Sequence, residues 1–142
     1  MTETYTPSEY DEGYPEGIED HFWHSARHHF LDRQLAKVLP PGELALDIGC
    51  GAGVYVAHAR GQGFNLCGTE QGPAPVRPDM EDCVSTGTEL SALPESLRQQ
   101  VRVALLLDVI EHIEDRREFL RSIAILLPNC EQLLITVPAR ME

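Results

Sequence analysis

The chain has 142 residues, and its 11 Lys and Arg against 23 Asp and Glu leave a formal net charge of −12. That length suits one domain around a single hydrophobic core, while so acidic a surface repels phosphate backbones and anionic lipid, so neither nucleic acid nor a membrane is expected as a partner. The longest wholly apolar run, Val103 to Leu107, falls far below the roughly 20 residues of a membrane span, and the acidic opening MTETYTPSEYDEG is unlike a signal peptide; a cytoplasmic protein is expected.

The elements begin after an irregular arm. Residues 1–17 are rich in Thr, Glu, Asp, Pro, Tyr and Gly, with Tyr5, Tyr10 and Tyr14 as their aromatic groups, and such a composition buries too little apolar surface to order itself. Residues 18–142 are expected to form the folded domain. From Ile18 to Leu39, Trp23, Ala26, Phe30, Leu31, Leu35, Val38 and Leu39 recur at three- and four-residue spacings, which predicts an amphipathic helix. Pro40, Pro41 and Gly42 end it. His21, His24 and His28 are spaced to share a face of this helix, beside His29. They suit either a metal or a polar face near a cleft, and without a carboxylate or cysteine in obvious reach no metal is expected.

The stretch Leu44 to Tyr55, LALDIGCGAGVY, carries the strongest signal. Leu44, Ala45, Leu46 and Ile48 form a nearly continuous apolar run, as in a strand buried on both faces of a parallel sheet. Gly49, Gly51 and Gly53 follow Asp47, where absent side chains permit a tight turn and let a ligand approach the main chain. Val54 to Arg60 then reads as a helix closed by Gly61, its first amides pointing back at the loop. A strand, a glycine turn and a helix N-terminus predict a nucleotide-type site. Cys50, Cys67, Cys83 and Cys130 form no C-x-x-C pair, which points to reduced, buried thiols; Cys50, inside the loop, is also placed to contact a ligand.

Phe64 to Thr69 predicts the second strand, and Glu70 at its carboxyl end is placed to accept hydrogen bonds from a ribose. Gln71 to Asp79 contains Pro73, Pro75 and Pro78, which makes it a loop. Asp82 to Ser85 is a brief third strand. Thr86 to Leu93 returns over the crevice, with Thr88 and Glu89 in reach of a base edge, and Pro94 to Gln100 forms a short helix with Pro94 in its first turn. Val101 to Leu107 is the second strong strand and ends at Asp108. Asp115 caps a helix with Glu118 three residues on, striped by Leu120, Ile123, Ala124 and Leu127 and stopped by Pro128 and Asn129. Gln132 to Val137 is the last strand. The expected fold class is α/β: a Rossmann-like, doubly wound and mostly parallel sheet of about five strands, preceded by a helix.

At the level of motifs, LALDIGCGAGVY resembles the first motif of the class I S-adenosylmethionine-dependent methyltransferases. LLLDVIEHIED resembles the segment after the fourth strand in the ubiquinone- and small-molecule-methylating branch, HFWHSARHHFLDRQL is similar to the helix preceding its sheet, and QLLITVPARME to its fifth strand. The resemblance runs from about Asp20 to the end of the chain. It implies methyl transfer from S-adenosylmethionine to an unidentified small molecule, with S-adenosylhomocysteine as product. Asp47, Gly49, Cys50, Gly51 and Gly53 would then wrap the methionine half, with glycine amides and Arg27 at the amino-acid end. Glu70, beside Gln71, would hold the ribose hydroxyls, Thr88 and Glu89 the adenine side. Asp108 and Val109 would border the methyl group, with Glu111 and His112 just beyond. His112 either takes a proton from the acceptor or braces its loop.

The chain departs from that family in three respects. The proline-rich Gln71 to Asp79 stands where a crossover helix is usual, Val103 and Ala104 stand where a Phe-Asp pair often precedes the fourth strand, and the sequence stops after the fifth strand, where the family's sheet has two more. The expectation is a truncated chain or an apolar strand edge paired with a second copy. Two alternatives follow: a cofactor-binding but catalytically incomplete module, and a nicotinamide-dependent oxidoreductase, against which the spacing of Gly49, Gly51 and Gly53 lacks the G-x-G-x-x-G arrangement.

Overall fold

A computed structural model describes residues 22–139; the expected arm, its three tyrosines and His21 lie outside the described residues. Helix α1 spans Phe22–Val38, strand β1 Leu44–Ile48, helix α2 Val54–Gly61, strand β2 Leu66–Glu70 and strand β3 Val84–Thr86. Helix α3 (Glu95–Gln100), strand β4 (Val101–Leu107), helix α4 (Arg116–Leu126) and strand β5 (Gln132–Thr136) follow, with short 3-10 turns at Pro78–Met80, Leu90–Ala92 and Ile110–His112. The sheet order is β3-β2-β1-β4-β5, and every neighbouring pair is parallel.

β1 is central because all five of its residues are buried, and a strand packed on both faces has no polar side to turn outward. Alternation divides its side chains between two cores. Ala45, with Val103 and Leu105 of β4, packs against Leu31 and Leu35 of α1 and Val56 and Ala59 of α2. Leu44, Leu46 and Ile48, with Ala104 and Leu106, pack against Ile123 and Leu127 of α4 and Leu93 before α3. The expected doubly wound α/β architecture is therefore observed, with helices on both faces.

Two helices bury part of the stripe their apolar spacing predicts. Leu31 and Leu35 of α1 and Leu39 just after it are buried as expected, whereas Trp23 and Phe30 are 61% and 50% exposed and the imidazole of His28 is buried in their stead, packed against the rings of Tyr55 and His58 of α2. In α4, Ile123 and Leu127 are buried while Ala124 faces out.

Helix α2 runs one residue further than expected, to Gly61, and its capping glycine shifts by two. Gly63, not Gly61, takes the left-handed conformation (φ +94°); its N–H bonds to the Arg60 carbonyl and the Phe64 N–H to that of Ala59. This 6→1 and 5→2 pair is a Schellman motif, in which a side chain at the left-handed position is strained. Pro94 likewise sits at the N-cap of α3 rather than within its first turn. The Asp115 cap is as expected, its carboxylate accepting from the Glu118 N–H at 3.0 Å.

Among the described residues β5 pairs with β4 alone, and Leu133, Ile135 and Val137 are 42%, 40% and 57% exposed. No helix of the described residues is long and apolar enough to cross a membrane.

Candidate functional site

In a parallel sheet the carboxyl ends of the strands diverge at the point where crossovers switch faces, and here that point lies between β1 and β4. A cleft opens there under α1, bordered by His24, Arg27, His28 and Leu31 of the helix, Asp47, Gly49 and Cys50 of the loop, Val54 and Tyr55 of α2, and Leu107. The loop is built for close packing. Gly49 has φ +79°, and a Cβ there would lie 2.7 Å from Cγ2 of Val109; Gly53 has φ +83°, and its Cβ would meet Val84 Cγ2 at 2.9 Å. Within the loop, the N–H groups of Gly49 and Cys50 donate to the Thr69 carbonyl, and that of Gly53 to the Cys50 carbonyl. The Gly49 and Cys50 amides thus tie the loop to β2.

Asp47 is 3% exposed, and among the described residues its Oδ1 has no hydrogen-bond partner. Burial raises its pKa from 3.8 to about 7, with Glu70 adding to the rise and Arg27 opposing it. A buried acceptor without a donor is costly unless a ligand completes it. Cys50 borders the cleft, but its sulfur lies behind the loop against Gly68, and burial pushes its thiol well up. That is the environment of an inert packing thiol rather than of a nucleophile.

Three predicted residues of the β4 side, Arg27, Asp108 and Val109, are placed around the loop, with Thr136, a residue the sequence pattern did not single out. Arg27 Nη2 lies 2.8 Å from Asp108 Oδ2 and 3.4 Å from the Thr136 hydroxyl. That hydroxyl donates to Asp108 Oδ1 at 3.1 Å, and the Asp108 N–H reaches Thr136 Oγ1 at 3.1 Å. Asp108 holds φ 56°, a left-handed conformation worth about 1–3 kcal/mol of strain in a residue other than glycine. Val109 packs on Gly49. His112 lies farther along, partly exposed, its Nε2 3.8 Å from Glu111 Oε1.

On the β2 side Glu70, Gln71, Thr88 and Glu89 also converge. The Thr88 N–H donates to the Glu70 carbonyl at 3.1 Å, Thr69 Oγ1 donates to the Thr88 carbonyl at 3.2 Å, and Gln71 Nε2 donates to Glu89 Oε1 at 3.4 Å. The Glu70 carboxylate accepts from the Gln71 N–H at 3.1 Å.

Sequence reasoning missed the wall opposite Asp47. Asp32 of α1 accepts a 2.9 Å hydrogen bond from the Tyr55 hydroxyl, and its other oxygen lies 2.7 Å from His58 Nε2. The His28 ring stands 4.7 Å from that of His58 and 5.3 Å from that of Tyr55. The signal was present as His28 and Asp32 four apart on α1 and Tyr55 and His58 three apart on α2, since such spacings share a helix face. Among the described residues no group of three or more His, Cys, Asp or Glu is arranged to hold a metal.

A parallel α/β sheet whose cleft at the strand carboxyl ends is bounded by a glycine turn and acids defines a Rossmann-like ligand-binding domain. The family model described as a methyltransferase domain matches residues 21–142, and the chain belongs to that family. It is 27% identical over 90 residues to the ubiquinone biosynthesis O-methyltransferase of Aliivibrio fischeri, covering 58% of this chain and 38% of that protein. A Pseudomonas putida protein of the same name is 27% identical over 93 residues, with 61% and 40% covered. The match thus spans about two fifths of those relatives. Among solved structures, the PH0226 protein of Pyrococcus horikoshii superposes with TM-score 0.57 at 16% identity, over 90% of this chain and 62% of that one. A putative methyltransferase from an antibiotic biosynthesis pathway of Anabaena variabilis gives 0.55 at 21%, over 75% and 45%. The plantazolicin methyltransferase BpumL, in complex with a pentazolic desmethylPZN analogue and S-adenosylhomocysteine, gives 0.52 at 17%, over 91% and 51%. At such identities these structures establish a shared fold.

Proposed function

We propose that the chain binds S-adenosylmethionine and carries its methyl group to a small-molecule acceptor. The observation that carries this reading is the buried Asp47, its Oδ1 unbonded among the described residues, in a cleft beside a glycine turn. That chemistry suits a cationic ligand without phosphate, since a buried carboxylate attracts a cation and repels a phosphate. Family membership supports the same conclusion.

In this reading Asp47, Gly49, Cys50, Gly51, Gly53 and Arg27 surround the methionine half. Glu70 takes the ribose hydroxyls with Gln71 beside it, and Thr88 and Glu89 flank the adenine. When bound, the cofactor supplies an activated methyl group on a sulfonium. The protein's task is alignment, which in favourable systems lowers a barrier by roughly 7–11 kcal/mol. Asp108, held in a strained conformation by Thr136 and Arg27, and Val109 shape the approach of the acceptor. His112 takes the acceptor's proton where that acceptor must lose one.

Calorimetry tests this directly. S-adenosylmethionine and S-adenosylhomocysteine should bind and NAD should not, and Glu70→Ala should weaken binding roughly tenfold or more, the loss of hydrogen bonds to a charged acceptor. Binding of NAD alone would favour the oxidoreductase alternative. A second reading is a module that binds the cofactor without turnover; methylation of any acceptor would exclude it. We also propose that the β5 edge pairs with a second copy, as exposed Leu133 and Ile135 allow, which sedimentation would reveal as a dimer. The four free cysteines support a reducing, cytoplasmic setting.

A further inference from the structure

We propose that the imidazole of His28 donates a hydrogen bond to the α-carboxylate of the bound cofactor, so that α1 forms part of the amino-acid subsite. The inference rests on the cofactor reading above and deepens it. His28 is 4% exposed and borders the same cleft as Asp47 and Gly49. Neither ring nitrogen has a hydrogen-bond partner among the described residues; its neighbours meet it as rings, His24 at 6.0 Å, Tyr55 at 5.3 Å and His58 at 4.7 Å. A buried polar side chain is ordinarily hydrogen-bonded. Two such groups, His28 and Asp47, therefore border one cleft with hydrogen-bonding capacity that the described residues do not use.

The two are complementary to an α-amino acid. The Asp47 carboxylate accepts from an ammonium, and the His28 N–H donates to a carboxylate. Of the other groups nearby, Arg27 Nη2 is ion-paired with Asp108, which leaves its remaining N–H groups to join His28 at the amino-acid end, and the amides of Gly49, Cys50 and Gly53 are bonded within the scaffold. The ring is braced from behind. Asp32 grips the Tyr55 hydroxyl and His58 Nε2, so the two rings packed on His28 are themselves fixed. Burial first, then His58, His24 and Arg27, lowers the His28 pKa to about 4, against a small opposing pull from Asp32. The imidazole is thus neutral near pH 7, with one N–H to give and no charge to repel the sulfonium.

The test compares two probes, S-adenosylhomocysteine and 5′-methylthioadenosine, which lacks the amino-acid end. For His28→Leu, calorimetry should show S-adenosylhomocysteine affinity falling roughly tenfold or more, the value of one hydrogen bond to a charged group, with 5′-methylthioadenosine unchanged. His28→Gln, which keeps an N–H, should recover part of the loss. In the wild-type protein, imidazole 1H–15N spectra should show the His28 resonances moving with S-adenosylhomocysteine and not with 5′-methylthioadenosine, a readout independent of any variant. Equal losses for both probes, no loss for either, or His28 resonances unmoved by S-adenosylhomocysteine would overturn the assignment. Failure of the wild type to bind either probe would instead remove the cofactor reading itself.

Discussion

Replacing Asp47 by asparagine should move stability and cofactor affinity in opposite directions. The carboxyl is raised from 3.8 to about 7, with burial as the first cause. At about 1.4 kcal/mol per pKa unit, that rise disfavours the folded carboxylate by on the order of 4 kcal/mol. The folded value is the higher one, so the sign follows. Below 3.8 both folded and unfolded chains hold the proton and nothing is lost. As pH rises toward 7 the unfolded chain ionises first and stability falls, and above about 7 the full penalty persists. An asparagine side chain at this position has no such titration. The Asp47→Asn protein should melt close to wild type at about pH 4 and higher at about pH 8, by on the order of 10 °C for a domain of this size. Its affinity for S-adenosylmethionine should drop roughly tenfold to a hundredfold, the range of a charge-assisted hydrogen bond. Wild-type affinity should climb as pH passes through about 7, because a cationic ligand favours the ionised carboxylate. Thermal melts across this pH range with parallel calorimetry decide the matter. A variant no more stable than wild type on the alkaline side, with undiminished affinity, would refute the reasoning.

Two further substitutions probe the scaffold. Gly68→Ala would place a Cβ 2.7 Å from Cys50 Sγ and 2.9 Å from Val56 Cγ2, both in buried core residues; overpacking of this kind should cost about 1–3 kcal/mol, read as a lower urea midpoint, and an unchanged midpoint would contradict the packing behind the loop. Asp115→Ala removes the cap that receives the Glu118 N–H and should cost about 1 kcal/mol, while the mutation leaves S-adenosylhomocysteine affinity where it was; a change in affinity without a change in midpoint would show that this helix reports to the site.

Several features were legible because their causes are local. An apolar run with no polar alternation, as in β1 and β4, has one comfortable home, the middle of a parallel sheet. Gly49 and Gly53 announce themselves because positive φ is closed to most residues. Asp115 and Glu118 signal a helix start through their spacing alone. The positions of Glu70 and Asp108 at strand ends follow from where those runs stop. The buried stripe of α1 is legible in part: Leu31, Leu35 and Leu39 follow from the periodicity, but the pattern does not say that His28 is buried beside them while Phe30 is half exposed.

By itself, then, the sequence determined the alternation of strands and crossovers, the glycine turn and the strand-end acids, all set by hydrophobic pattern and backbone sterics within a few residues. Only the tertiary structure decided that Arg27 and Thr136, 109 residues apart, meet at Asp108, that α1 and α2 close Asp32, Tyr55 and His58 around His28, and that Asp47 is buried with its Oδ1 unbonded among the described residues. Those facts depend on which groups exclude water from which others. Exclusion of water is set by packing between distant segments, and it turns an aspartate and a histidine of ordinary sequence into a carboxyl that titrates near neutrality and an imidazole that stays uncharged.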